Sequence, residues 1–156
     1  MGSDSDLPVV EETAKLLNEF DIPYEMTIAS AHRTPERVRK LAIEAEGRGI
    51  EVIIAAAGAA AHLAGVVASN TLLPVIGIPI SSSPLMGLDA LFSIVQMPPG
   101  VPVATMSIGM AGAKNAAILA AQIIGRSDRG VFEKLIAYRN RAASEVEAKA
   151  GALKVR

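Results

Sequence analysis

The sequence has no cysteine and no tryptophan, only two histidines, and an aromatic content of 3%. Without cysteine there is no disulfide framework, no thiolate-held zinc or iron–sulfur site, and no thiol nucleophile. Two histidines are too few for a His-rich metal site. So few aromatic rings argue against a base-stacking surface for nucleic acid. Neither sign of charge is in excess: fifteen basic residues face sixteen acidic ones, a formal net charge of −1. A basic field for nucleic acid or for an anionic membrane is therefore not expected. The opening residues Met1 to Asp6 lack the positive region and apolar run of a signal peptide. The most apolar window, Val52 to Ala68, is 17 residues long and contains Gly58, His62 and Gly65, whereas a membrane-spanning helix needs about 20 apolar residues. A cytoplasmic protein with no membrane partner is the expectation.

What is present is an alternation of apolar runs and helical patterns. The 156 residues suffice for one core and not for two ordinary domains, so residues 1–156 are expected to form one domain. Met26–Ala29, Glu51–Ala55, Pro74–Pro79 and Val101–Thr105 read as strands, without the polar alternation of a half-exposed sheet. Between and around them, helices are expected at about 8–20, 35–48, 60–71, 86–95 and 112–124, and a final amphipathic helix at about 130–150. This order predicts an α/β fold with a parallel sheet and crossover helices. Gly2 to Pro8 has the pattern of a loop and helix start that follow a first strand, with Asp6 as N-cap and Pro8 in the first helical turn. A central strand is therefore expected ahead of Met1, missing from the sequence.

Charge is unevenly placed. From Val52 through Ala113 the only charged residue is Asp89. A helix on the outside of a monomer normally shows one charged face, and the helices expected at 60–71 and 86–95 show almost none. A chain of this size cannot enclose both, so a compact homo-oligomer is expected, with these helices in the interface.

In open α/β sheets, ligands bind beyond the carboxyl ends of the strands, which directs attention to three loops. In Gly2-Ser3-Asp4-Ser5-Asp6, Ser3 can donate to a phosphate and Asp6 can accept from ribose hydroxyls; simple helix capping explains the same residues. In Ser30-Ala31-His32-Arg33-Thr34-Pro35, Thr34 and Pro35 are explained as N-cap and first helical residue. His32 and Arg33 are not. An imidazole at a strand end can act as acid in one step and base in the next, and Arg33 offers a planar fork to phosphate or carboxylate. In Ala57-Gly58-Ala59-Ala60-Ala61-His62, small residues let backbone approach a ligand. His62 reads equally as a hydrogen-bonded structural residue or a substrate-positioning one. The glycines around Gly109 and Gly112 lack dinucleotide or ATP-loop spacing. From the residues alone, the chain binds a small anionic ligand, with His32 as the one strong acid/base candidate.

Met1-Gly-Ser-Asp-Ser-Asp6, Ser30-Ala-His-Arg-Thr-Pro35, Gly58-Ala-Ala-Ala-His-Leu-Ala-Gly65 and Gly87-Leu-Asp-Ala-Leu-Phe-Ser-Ile-Val-Gln-Met-Pro98 together closely resemble the N5-carboxyaminoimidazole ribonucleotide mutase family, the class I PurE enzymes. The likeness runs from Met1 to about Ile124. It implies a flavodoxin-like three-layer αβα sandwich assembled as a homo-octamer. It also implies conversion of N5-carboxyaminoimidazole ribonucleotide to 4-carboxy-5-aminoimidazole ribonucleotide in purine biosynthesis, with no metal or organic cofactor. Carried onto this sequence, Ser3, Asp6, Ser30 and Arg33 bind substrate, His32 is the general acid/base, and Gly58, Ala59 and His62 belong to the pocket for the carboxylate and CO2. Two residues depart from the family's usual Gly-Gly-Ala-Ala-His-Leu-Pro-Gly: Ala59 replaces the second glycine and Ala64 the proline. If position 59 requires a positive φ, Ala59 strains the loop. Two alternative functions are a class II enzyme that carboxylates aminoimidazole ribonucleotide directly with CO2, and a flavodoxin-like module that binds a phosphorylated ligand without turnover.

Overall fold

The structure is a computed structural model that describes residues 1–153. Its sheet has three parallel strands in the order β1 (Ile53–Gly58), β2 (Val75–Ile80) and β3 (Ala104–Thr105). Ile53 pairs with Val75 and Gly58 with Ile80; Ile76 pairs with Ala104. All six residues of β2 are buried, which is why its sequence is apolar without alternation. Helices α1 (Leu7–Glu19), α2 (Pro35–Glu44), α3 (Leu63–Ala68), α4 (Leu88–Val95), α5 (Met110–Ile124) and α6 (Arg129–Ala152) complete the order.

The strands alternate their side chains between two cores, as a period of two requires. Ala56, Ile76, Ile78 and Ile80 point to one side, where they meet Leu16, Leu17 and Phe20 of the α1 region, Ala113, Ala116, Ala117 and Ala120 of α5, and Val131 and Leu135 of α6. Ala55, Ala57 and Val75 point to the other, against Val38 and Ala42 of α2, Leu63 and Ala64 of α3, and Ala90 and Ile94 of α4. The three-layer sandwich expected from the sequence is the one observed. The alanine face of α5 brings α1 close enough for the buried Thr13 hydroxyl to donate to the Ala113 carbonyl at 2.9 Å.

Two expected strands differ. Met26–Ala29 runs beside the sheet without joining it. Among the described residues its backbone hydrogen-bonds only with Met1: the Ala29 amide donates to the Met1 carbonyl at 2.9 Å, and the Met1 ammonium to the Thr27 carbonyl at 3.0 Å. The Gly2 amide in turn donates to the Ala56 carbonyl of β1 at 3.1 Å. Beyond Met1, an apolar space of about 590 Å³ separates the segment from β1, lined by Leu17, Ile22, Met26, Val38 and Ile54 among others. Among the described residues no strand lies alongside it, so it forms no ladder. Val101–Thr105 is shortened to Ala104–Thr105, and Pro102 has no amide to give to a ladder.

The uncharged helices differ in their surroundings. α3 buries Leu63, Ala64 and Val67. α4 buries Ala90 and Ile94 but exposes Leu88, Phe92 and Val95, and the turn before it exposes Leu85 and Met86. No described helix is long and apolar enough to cross a membrane.

Candidate active site

A cavity of about 310 Å³ opens at the carboxyl ends of β1 and β2, where the N-terminal loop, the loop before α2 and the loop after β1 converge. Its walls include Ser3, Asp6, Ser30, His32, Arg33, Gly58 and His62. Of the residues expected at the site, only Ala59 is not a wall residue; it stands between Gly58 and Ala60, which are.

The N-terminal loop is a 3-10 turn over Asp4–Asp6, and it is closed on itself. The Ser3 hydroxyl accepts from the Ser5 amide at 3.4 Å, and the Asp6 carboxylate accepts from the Ser3 amide at 3.0 Å. This is a capping box. Asp6 therefore caps no part of α1 with its side chain, contrary to expectation; it faces back toward Ser3. Asp6 is only 3% exposed, and no salt bridge reaches it among the described residues. Burial pushes its carboxyl pKa above the ordinary value, against the opposing pull of the Ser3 amide.

The direction of that shift sets a pH dependence. The folded protein keeps the Asp6 proton at pH values where the unfolded chain has released it. The stability from this group is complete below the ordinary carboxylate range and is lost as pH rises through the folded value. Asp6→Asn keeps an oxygen for the Ser3 amide and carries no charge. We expect the variant to be more stable than the parent at neutral pH, with the difference shrinking in mild acid, as read by urea unfolding at both conditions.

The second loop is tied by its own hydroxyls. Thr34 occupies the N-cap position of α2, but its side chain makes no cap hydrogen bond. Its hydroxyl instead accepts from the Ser30 amide at 2.9 Å and donates to the Ser30 carbonyl at 3.1 Å. The Ser30 hydroxyl accepts from the Arg33 amide at 3.2 Å. The Arg33 guanidinium reaches the Gly2 carbonyl at 3.3 Å, so it links the second loop to the first and places positive charge beside their shared wall.

The third loop follows β1. A Cβ on Gly58 would lie 1.9 Å from the Ser82 hydroxyl, so only glycine lets the loops after β1 and β2 come this close. Ser82 is also a wall residue, although in the sequence its segment reads only as a polar connection; its one signal is its place just after a strand. Ala59 has φ of 51°, the left-handed conformation that strains any residue bearing a Cβ. For a non-glycine residue this costs about 1–2 kcal/mol, less what a glycine would lose in chain entropy. Ala59→Gly is expected to raise unfolding stability by about 0.5–1 kcal/mol, measured at fixed protein concentration.

The second and third loops meet through their histidines. His32 Nε2 lies 2.8 Å from His62 Nδ1, with the rings edge-to-face at a centroid separation of 4.9 Å. The cavity thus combines a guanidinium, a buried carboxylate, several hydroxyls and two coupled imidazoles. That set can bind a phosphorylated, hydroxylated small molecule and move a proton on it. Lys114 at the start of α5 takes no part; it pairs with Glu12 at 3.4 Å. No group of three or more metal-ligating side chains gathers among the described residues.

Comparison with known proteins shows the family. Residues 1–145 match the family described as AIR carboxylase. The N5-carboxyaminoimidazole ribonucleotide mutase of Pyrococcus horikoshii is 60% identical over 150 residues, covering 96% of this chain and 84% of that protein. The mutase of the same name from Thermotoga maritima is also 60% identical over 150 residues, covering 96% and 86%. The crystal structure of Treponema denticola PurE superposes with a TM-score of 0.89 at 31% identity, over 99% of this chain and 96% of that one. The sandwich is therefore the flavodoxin-like one that the motifs implied, and the chain belongs to the AIR carboxylase family.

Proposed function

We propose that the protein is an N5-carboxyaminoimidazole ribonucleotide mutase of purine biosynthesis, working in the cytoplasm as one PurE-like domain. The observation that carries the reading is the position of His32, an imidazole on the wall of a cavity that also holds Arg33, Asp6 and the small-residue loop after β1. The two mutases at 60% identity over nearly the whole chain support the same reaction.

In this reading, Arg33, Ser30 and Ser3 hold the phosphate end of the nucleotide, and Asp6 accepts from its hydroxyls. His32 gives a proton to N5 as the N5–carboxylate bond breaks, which releases CO2 and leaves aminoimidazole ribonucleotide. Gly58, Ala59 and His62 belong to the pocket that keeps the CO2 beside the ring; a trapped reactant supplies the proximity that free CO2 lacks. C4 then attacks the CO2 carbon, and His32 removes the C4 proton to restore the aromatic ring. One proton leaves His32 and one returns.

The apolar surface of α4 and the turn before it supports a homo-oligomer, for which the octamer that the family resemblance implies is the form proposed. Leu85, Met86, Leu88, Phe92 and Val95 are each between 49% and 72% exposed in a single protomer, a patch that a soluble monomer rarely carries.

The test supplies purified protein with N5-carboxyaminoimidazole ribonucleotide, or with aminoimidazole ribonucleotide plus bicarbonate, and measures the 4-carboxy product. The expected result is product from the first substrate without added bicarbonate, from particles with the mass of eight chains by light scattering. Product only from the second, at high bicarbonate, makes the protein the direct carboxylase. Binding of either nucleotide with no product makes it a binding module.

A further inference from the structure

A separation of 2.8 Å between His32 Nε2 and His62 Nδ1 requires one proton between the two nitrogens, since two bare lone pairs would repel. The remaining nitrogens, His32 Nδ1 and His62 Nε2, have no hydrogen-bond partner among the described residues. Both rings are walls of the same cavity, whose other charged wall residues are Asp6 and Arg33. His32 therefore faces ligand with Nδ1 while its other nitrogen is held by a second titratable ring.

We propose that His32 and His62 form one acid–base unit, in which a proton crosses between them each time His32 exchanges one with substrate. The inference rests on the mutase reading above. The unit begins with three protons on two rings: His32 carries one on Nδ1, and His62 carries one on each nitrogen. As His32 Nδ1 gives its proton to N5, the His62 Nδ1 proton moves to His32 Nε2. Both rings are then neutral, and His32 Nδ1 is a free base. When Nδ1 takes the C4 proton, the Nε2 proton returns to His62 Nδ1 and the first state is restored. Protons balance over the cycle, no outside acid or base is consumed, and the positive charge never has to rest on His32 alone beside the Arg33 guanidinium. His62 thereby acts through His32, as a proton store and not only as part of a binding pocket.

His62→Asn and His62→Gly test this. An asparagine amide can still accept from His32 Nε2 but cannot take up a proton. The expected result for His62→Asn is KM within about threefold of the parent and kcat lower by about tenfold or more. Imidazole added to His62→Gly should restore part of the lost kcat, which a purely structural role does not predict. In parallel, ¹⁵N resonance of the unaltered protein should show His32 Nε2 and His62 Nδ1 sharing a hydrogen bond. An unchanged kcat in His62→Asn overturns the proposal. So does a rise in KM alone, a loss with no imidazole rescue, or separate, uncoupled rings in the resonance experiment. A parent that lacks mutase turnover defeats the functional reading instead, and the resonance experiment still decides the pairing.

Discussion

His32→Asn should leave a folded protein that binds the nucleotide and scarcely turns it over. Asparagine matches the imidazole in reach and polarity but has no proton to exchange near neutral pH. Removing a general acid/base of this kind lowers kcat by about 10²- to 10⁴-fold, and here the same group serves both proton steps, so the upper part of that range applies. KM should stay within about threefold, because Arg33, Ser30, Ser3 and Asp6 remain on the walls. Steady-state kinetics with N5-carboxyaminoimidazole ribonucleotide, beside a direct binding measurement, separates the two quantities. A variant with more than half the parental kcat would remove His32 from the mechanism.

The largest expected loss of stability comes from a residue far less conspicuous. Gly112 lies in the first turn of α5, pressed onto the loop after β3. A Cβ there would stand 1.7 Å from the Ser107 carbonyl oxygen and 2.7 Å from its carbonyl carbon. Both obstacles are backbone, so no side-chain rotation can clear them. Gly112→Ala must shift either the loop or the whole of α5, whose Ala113, Ala116, Ala117 and Ala120 are packed against β2 and α1. The expected cost is about 3 kcal/mol or more. At about 2–4 °C per kcal/mol for a domain of this size, the change is readily seen in thermal unfolding at fixed protein concentration. The same substitution at Gly47, where nothing lies within 4 Å of a Cβ, is the matched control and should change stability little.

Much of the fold was legible because burial on two faces leaves a plain mark. β1 and β2 are apolar at every position, and one helix, α3, crosses between them as a parallel pair requires. Met26–Ala29 is also mostly apolar, with Thr27 as its one polar residue, and forms no ladder, since strand formation depends on a neighbour as well as on the segment itself. The loops that converge on the site were legible from their place after strands. The pairing of His32 with His62 was not: thirty residues separate them, and only the position of β1 relative to the loop before α2 brings the rings together. The strain at Ala59 could be framed in advance only as a condition, because a sequence does not display the sign of φ. The run Ser81-Ser82-Ser83 reads only as a polar connection in the sequence, because Ser82 has no assigned chemistry until Gly58 is found against it.

The face that α5 turns toward α1 and β2 is made largely of alanine methyl groups. Ala113, Ala116, Ala117, Ala120 and Ala121 are all at most 2% exposed. An alanine freezes no rotamers when it is buried, so the α5 side of this seam adds no side-chain ordering cost to that of the leucines and isoleucines it meets. The same smallness sets a one-sided tolerance: at these positions a side chain cannot shrink usefully and can only grow. Divergence along this seam is thereby confined to exchanges among the smallest residues, while the outer faces of the same helices remain free to vary.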